Sequence, residues 1–203
     1  MRRGKTLVID YQAGNLNSVC KALRTMGADV HVTTKPEDLR LASRIVLPGV
    51  GHFSSTGCLL ASGMGEALRE RVADGVPFLG ICVGLQWLFA GSTEAPETPG
   101  LGIFPSMCDR FPSRVKSPHV GWNSLEAVEK SRLLSGLPAS PYVYFTHSYR
   151  APRIHDTTTV TNYGEEFSAI VERDNWMAVQ FHPEKSGSVG LKILENFMSI
   201  SSC

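Results

Sequence analysis

Several features that would assign this chain to a special class of protein are missing from its 203 residues. The five cysteines are odd in number and scattered, and no two are spaced Cys-x-x-Cys. A disulfide framework and a zinc site are therefore both disfavoured, and a reducing compartment is expected. The formal net charge is only +1, so charge gives no support to binding of nucleic acid or of an anionic membrane.

Long apolar runs are also missing. No segment approaches the ~20 apolar residues that a membrane span needs, and the N-terminal segment lacks the apolar core of a signal peptide. The cytoplasm is therefore the predicted location. Internal repeats and low-complexity linkers are absent as well, so we expect one domain over residues 1–203.

What the chain does contain is an alternation of strand and helix patterns. Residues 6–10, 29–33 and 44–47 are short apolar or alternating runs separated by helical spacing, which predicts a parallel α/β sheet. Beyond residue 100 the apolar pieces are broken by proline and glycine, which predicts a partly antiparallel half whose strands return to the main sheet. Residues 188–197 predict a closing amphipathic helix. The expected fold is an α/β single domain with an open, mixed, mostly parallel sheet flanked by helices.

The most reactive pattern lies at residues 80–84, Gly-Ile-Cys-Val-Gly. It stands between an apolar strand pattern and a second apolar segment, ending at Phe89, that suits a helix. We call these five residues the cysteine elbow, because serine hydrolases carry their nucleophile on a similar strained turn between strand and helix. We expect its glycines to relieve crowding and to supply positive φ. The helix N-terminus should favour the thiolate of Cys82. The alternative is a core cysteine that happens to lie between glycines.

A cysteine nucleophile needs a base, and the base needs an orienting acceptor. The segment Gln-Phe-His-Pro-Glu at residues 180–184 follows a predicted strand. In extended chain, residues two apart point the same way, so His182 and Glu184 are expected to face one side together. None of the other five histidines is followed in this way by a carboxylate. His-x-Glu alone is common by chance, but together with the cysteine elbow it is specific.

An oxyanion hole is the third requirement of this chemistry. The backbone N–H of Val83, directly after the cysteine, is one expected donor. A second is expected from Val50 or Gly51 in the glycine loop, residues 48–53, which follows a predicted parallel strand. Ligand crevices lie outside the carboxyl ends of such strands, so loop and elbow should share one rim. The alternative interpretation of the loop is an ordinary tight turn.

These segments together resemble the class I (triad) glutamine amidotransferases. The resemblance rests on residues 48–53, 80–86 and 182–186, with further similarity at residues 9–16, 119–123 and 144–149, so it covers nearly the whole chain. It implies a flavodoxin-like fold and hydrolysis of glutamine to glutamate and ammonia through a thioester. By this resemblance Cys82 is the nucleophile, His182 the base and acid, and Glu184 the orienting residue. It implies no cofactor and no metal.

The resemblance also implies a substrate pocket and a partner. The residues at pocket positions are Gly49, Gly51, Gln86, Glu94, Thr146, Ser148 and Tyr149. The similarity is greatest to glutaminase subunits of histidine biosynthesis, which pass ammonia to a (β/α)₈-barrel cyclase. Asn15, Trp122 and Lys185 fall where those two proteins meet. Relatives often carry glycine at the position of Gln12, and Trp87 is bulkier than the usual residue and is expected in the core.

Three alternatives remain open at this point. One is the glutaminase subunit of another synthase, of the pyridoxal phosphate or anthranilate type, which residues 121–123 and 146–149 disfavour. Another is a non-catalytic binding protein on the same fold, which the intact set of Cys82, His182 and Glu184 disfavours. The last is a cysteine peptidase or hydrolase with the same triad, although Gln86 and Glu94 suit a free amino acid better than a peptide.

Overall fold

The structure, a computed structural model, describes residues 4–12 and 16–201. The strands are, in chain order, β1 (Lys5–Ile9), β2 (Val30–Thr33), β3 (Ala42–Gly49), β4 (Phe78–Cys82), β5 (Phe89–Ser92), β6 (Phe104–Arg110), β7 (His119–Ser124), β8 (Glu126–Ala127), β9 (Tyr142–His147), β10 (Tyr149–Arg150), β11 (Thr157–Asn162), β12 (Glu166–Arg173) and β13 (Trp176–Val179). The α-helices are α1 (Leu16–Thr25), α2 (Gly57–Ala61), α3 (Met64–Ala73), α4 (Val83–Trp87) and α5 (Gly187–Ser199). Short 3₁₀ helices cover Pro36–Leu41, Phe53–Thr56 and Pro183–Lys185.

The main sheet has eight strands in the order β2-β1-β3-β4-β13-β12-β11-β8. The first five strands in this order, β2, β1, β3, β4 and β13, run parallel to one another. The remaining three, β12, β11 and β8, are paired antiparallel. The predicted α/β fold with a mixed, mostly parallel sheet is confirmed. Strand β4 pairs with β3 on one side and with β13 on the other. The carboxyl ends of these three strands therefore meet at one edge of the sheet.

Two smaller sheets cover this edge. One has the order β10-β6-β5, and the other pairs β7 with β9 in antiparallel register, from His119 opposite His147 to Ser124 opposite Tyr142. One side of the β7–β9 pair packs on the core through Val143 and Phe145, both fully buried. The other side exposes large apolar residues. The pair thus forms a wall beside the strand ends.

The local predictions agree with most elements and miss some boundaries. Residues 57–73 form two helices, α2 and α3, which are divided at Gly63 with its φ of 80°. The expectation that the helix after the cysteine elbow continues through Phe89 is wrong, since α4 ends at Trp87 and β5 begins at Phe89. Trp87 is fully buried, as expected. Gln12 has a positive φ of 65°, a backbone conformation that favours glycine.

Among the helices of the described residues, none combines the length and the apolar character required to cross a membrane.

Candidate active site

Cys82 has the backbone conformation of a strained turn. It is the last residue of β4, α4 begins at the next residue, and its φ and ψ are 55° and −107°. A positive φ is uncommon for a residue with a Cβ and marks a conformation that the surrounding structure must enforce. The side chain is only 3% exposed. Strand, strained cysteine and helix thus follow one another as in a nucleophile elbow.

The two glycines of the cysteine elbow serve close packing of the backbone. A Cβ on Gly84 would lie 2.1 Å from the carbonyl oxygen of Leu47 in β3, and one on Gly80 would lie 2.6 Å from the carbonyl oxygen of Gly84. Neither glycine has a positive φ. The expectation that they supply positive φ is therefore wrong. Cys82 itself takes the strained conformation, while the glycines let α4 lie directly against β3.

His182 follows β13 at the same edge of the sheet. Its Nδ1 lies 2.8 Å from Oε1 of Glu184, and neither side chain is more than 1% exposed. The two side chains meet across the 3₁₀ turn Pro183–Lys185, and not along extended chain as expected. The backbone N–H of His182 donates to the carbonyl oxygen of Tyr144 at 2.9 Å, which ties this turn to the β7–β9 wall.

The environment of His182 favours its protonated form. Burial by itself disfavours the charged imidazolium, but the sulfur of Cys82 and the carboxylate of Glu184 outweigh it and raise the pKa of His182 to about 10. In the described part of the chain, Nε2 of this ring has no partner in hydrogen-bond geometry. Because Nδ1 faces Glu184, Nε2 is the nitrogen left to exchange a proton with Cys82 and with a group bound beside it.

A cavity of about 250 Å³ opens beside the sulfur. It is lined by Val50, Gly51, Cys82, Val83, Gln86, Glu94, Pro118, Thr146, His147, Ser148 and Tyr149. The structure thus brings together the three expected oxyanion-hole residues and six of the seven residues expected to bind substrate. Gly49 is the exception: it pairs with Cys82 across β3 and β4, and its Cα faces Tyr11 and Val83.

The glycine loop is held from two sides. At its far end, the backbone N–H of Phe53 donates to Oε2 of Glu94 at 2.8 Å. At its near end, a Cβ on Gly49 would lie 2.1 Å from the hydroxyl oxygen of Tyr11. That hydroxyl is buried and has no hydrogen-bond partner among the described residues. Val50 and Gly51 lie between these two supports, with a φ of 109° at Gly51.

Three residues of the site were not predicted from the sequence: Gln180, which contacts the sulfur, and His147 and Pro118, which line the cavity. Nε2 of Gln180 lies 3.7 Å from Sγ of Cys82. Gln180 precedes His182 by two residues, and residues two apart in an extended chain face the same side. The same rule that was applied to His182 and Glu184 could therefore have predicted Gln180 as a site residue. Pro118 carries no comparable signal.

His147 belongs to a buried aromatic cluster behind the cavity. Its Nδ1 lies 2.8 Å from the carbonyl oxygen of Tyr149, and its Nε2 lies 3.2 Å from Nδ1 of His119. The ring of His119 stacks on Tyr163 with centroids 4.0 Å apart. Burial lowers the pKa of His147 to about 3 and that of His119 to about 4. Both imidazoles are therefore neutral at physiological pH, and each can donate one hydrogen bond and accept another.

The residues expected at a partner interface lie on one side of the wall. Trp122 is 55% exposed, and Val120 and Tyr142 are also exposed on the same side of the β7–β9 pair. We call this the outer face. Lys185 is exposed as well, in the turn just before Gly187, at which a Cβ would lie 3.9 Å from the Trp122 ring. Asn15 lies outside the described residues.

Comparison with known proteins gives a consistent result. The model of the glutamine amidotransferase class-I family matches residues 7–200. The imidazole glycerol phosphate synthase subunit HisH of Methanothermobacter thermautotrophicus is 48% identical over 194 residues, which cover 95% of this chain and 97% of that protein. The HisH subunit of Nostoc punctiforme is 46% identical over 199 residues, with coverages of 95% and 94%.

Solved structures agree on the fold. A crystal structure of a glutamine amidotransferase matches with a TM-score of 0.75 and 21% identity, covering 96% of this chain and 97% of that chain. A putative GMP synthase protein from Thermoplasma acidophilum matches with a TM-score of 0.76 and 21% identity, covering 98% and 94%. At this identity the likeness concerns the fold alone.

Proposed function

We propose that this chain, which belongs to the class I glutamine amidotransferase family, is the glutaminase subunit of an imidazole glycerol phosphate synthase. Relatives with the name of that subunit are 46–48% identical to it over 95% of its length. The observation that carries the proposal is the strained Cys82, which lines a small cavity and lies beside the buried pair of His182 and Glu184.

The proposed reaction forms and then hydrolyses a thioester. The sulfur of Cys82 attacks the side-chain amide carbon of glutamine, and the carbonyl oxygen becomes an oxyanion. Backbone N–H groups of Val83 and of the glycine loop at Val50 and Gly51 stabilise that charge. The carbon–nitrogen bond breaks as His182 gives its proton to the leaving nitrogen, which departs as ammonia.

The second half of the reaction restores the enzyme. His182, now neutral, takes a proton from a water molecule whose oxygen attacks the thioester carbon. The second oxyanion collapses, the carbon–sulfur bond breaks and glutamate leaves. The sulfur is again a thiolate and His182 again an imidazolium. The raised pKa of His182 supports this cycle, because the proton needed by the leaving ammonia is already on the ring. Glu184 fixes the ring orientation through Nδ1.

The cavity supports a free amino acid as substrate. Its volume of about 250 Å³ is below the ~300–1,000 Å³ of pockets for drug-sized ligands. Polar groups of Gln86, Glu94, Thr146, Ser148 and Tyr149 surround this space and are proposed to bind the substrate, together with Gly49 and Gly51 of the glycine loop. A peptidase with the same triad requires a long groove for a peptide chain, so the small volume of this cavity favours a glutaminase.

The proposed partner is a (β/α)₈-barrel cyclase subunit, with which the chain forms a cytoplasmic heterodimer. The cyclase would use the ammonia to make imidazole glycerol phosphate and aminoimidazole carboxamide ribotide. The outer face supports such a partner, because it exposes large apolar side chains and continues to Thr146 at the cavity. We propose that Trp122, Lys185 and Asn15 contact the cyclase. Neither a membrane nor a nucleic acid is part of the proposal.

The test is ammonia release from glutamine by the chain alone and with its cyclase bound to nucleotide substrate. We expect low release alone and higher release in the complex, because a docked partner would settle the glycine loop that carries an oxyanion donor. Cys82→Ala should abolish release while it still binds the cyclase, and Cys58→Ala, at an exposed cysteine, should match the parent protein. Ammonia release by Cys82→Ala would refute the assigned nucleophile, and equal rates with and without the cyclase would refute activation by the partner.

A further inference from the structure

We propose that Gln180 is a further catalytic residue of this site, whose side-chain amide donates a hydrogen bond to the sulfur of Cys82 and stabilises the thiolate. The inference rests on the proposed function, in which that thiolate is the nucleophile. Gln180 is fully buried, and its Nε2 lies 3.7 Å from Sγ. The pairing of β13 with β4 explains this contact. Val179 lies opposite Ile81, so the residues that follow them, Gln180 and Cys82, lie side by side.

The orientation of the Gln180 amide follows from its neighbours. The carbonyl oxygen of Tyr149 can only accept, so the Gln86 atom 2.8 Å from it must be the donor Nε2. The same Nε2 lies 3.3 Å from the Gln180 amide, which must therefore present its oxygen, Oε1. The remaining atom, Nε2 of Gln180, then faces Cys82 with its hydrogens. The hydrogen-bond partners of Gln86 and Gln180 thus determine that the amide nitrogen of Gln180, and not its oxygen, faces the sulfur.

The hydrogen-bond chain continues away from the sulfur with consistent directions. Nδ1 of His147 lies 2.8 Å from the same Tyr149 oxygen and must donate to it. Nε2 of His147 is then an acceptor and faces Nδ1 of His119. Nε2 of His119 in turn faces the amide nitrogen of Asn123 at 3.4 Å. Because every member has a defined role, Gln86 and Gln180 are held in one amide orientation.

The site needs such a donor because the sulfur is buried. A thiolate in a nearly closed position loses its hydration and requires replacement hydrogen bonds. Helix α4 has only five residues, so few aligned peptide dipoles face the sulfur and the expected help from the helix is small. His182 supplies the counter-charge. Gln180 supplies a neutral donor in addition. Its hydrogen bond is weaker when the sulfur is part of a thioester, so Gln180 favours departure of the thiolate during hydrolysis.

Alkylation of Cys82 tests this inference without using glutamine. The rate of modification by iodoacetamide is measured against pH on the peptide that contains Cys82, in the parent protein, Gln180→Met and Gln180→Glu. Methionine keeps the size without the donor, and glutamate places a carboxylate beside the sulfur. We expect the midpoint of the profile to rise by about one pH unit in Gln180→Met, the size of a modest hydrogen bond to a charged acceptor, and further in Gln180→Glu.

Exposed Cys58 provides an internal reference, because its alkylation profile should be the same in all three proteins. If circular dichroism shows that either variant at Gln180 is misfolded, Gln86→Met replaces it. Loss of the Gln86 amide frees the Gln180 amide to rotate, so the midpoint of the Cys82 alkylation profile should again rise. A Cys82 profile unchanged in every folded variant would overturn the inference. Absence of ammonia release from the parent protein with its cyclase would instead refute the proposed function, because alkylation needs no turnover.

Discussion

Oε1 of Glu184 lies 2.8 Å from Nδ1 of His182, with both side chains withdrawn from solvent. Together with the sulfur of Cys82, whose effect is larger, this carboxylate also acts on stability by raising the pKa of His182. The pKa of His182 in the folded protein, about 10, exceeds its ordinary value of 6.5, so the folded state holds the proton more tightly than the unfolded chain. The resulting stabilisation is complete below about pH 6.5 and is lost as the pH rises through about 10.

Glu184→Gln should therefore lower the free energy of unfolding in a pH-dependent way. We expect a loss of roughly 1.5–3 kcal/mol near neutral pH, the usual contribution of a hydrogen bond to a charged group. The difference from the parent protein should shrink as the pH rises through about 10, because above that pH His182 is neutral in both proteins. Urea denaturation at several pH values measures it, with Glu97→Gln at an exposed glutamate as the control. A difference that stays constant with pH would contradict the ion pair.

Gly84→Ala tests the packing of the cysteine elbow on β3. The added Cβ would lie 2.1 Å from the carbonyl oxygen of Leu47, a backbone atom that has no rotamer to change. We expect a loss of about 2 kcal/mol or more in unfolding free energy and a large loss of ammonia release, because α4 must move away and take Cys82 with it. Gly57→Ala is the matched control: its Cβ would meet Thr98 at 3.6 Å, and stability should be unchanged or slightly higher. Equal stability of the two variants would contradict this account.

Gly49→Ala and Tyr11→Phe test the support beneath the glycine loop as a double-mutant cycle. The Cβ of Gly49→Ala would lie 2.1 Å from the hydroxyl oxygen of Tyr11 and 2.9 Å from Cβ of Val83. Tyr11→Phe removes that oxygen, which is buried without a partner among the described residues, and should itself cost little. The double variant should therefore recover part of the stability and ammonia release lost in Gly49→Ala. Strict additivity of the two changes would show that the hydroxyl is not the obstacle.

Trp122→Ala tests the outer face as the docking surface for the cyclase. A large exposed aromatic side chain at the centre of an interface is a typical hot spot, so binding should weaken by about 2 kcal/mol, roughly thirty-fold in Kd. The isolated chain should keep its stability, because Trp122 is 55% exposed. Isothermal titration with the cyclase gives the affinity. Leu41→Ala, at an exposed leucine outside this face, should bind like the parent protein; unchanged binding by Trp122→Ala would place the interface elsewhere.

Sequence patterns predicted individual helices and strands better than they predicted which elements contact one another in the fold. The strands predicted near residues 6–10, 29–33 and 44–47 and the closing helix predicted at residues 188–197 are all present, because apolar periodicity is a local signal. The start of β5 at Phe89 was missed, because an apolar run does not distinguish helix from buried strand. The role of the elbow glycines was also misjudged, since the contact between Gly84 and Leu47 joins residues from different strands.

By itself, the sequence determined which groups carry the chemistry: a cysteine between glycines, a histidine two residues before a glutamate, and a glycine loop after a strand. Only the tertiary structure decided that β13 lies beside β4, which brings Gln180 next to Cys82 and His182 to the same edge. Local periodicity and turn chemistry act over a few residues. The order of strands is chosen by burial of the whole chain at once, so a contact across about a hundred residues appears only when the sheet is assembled.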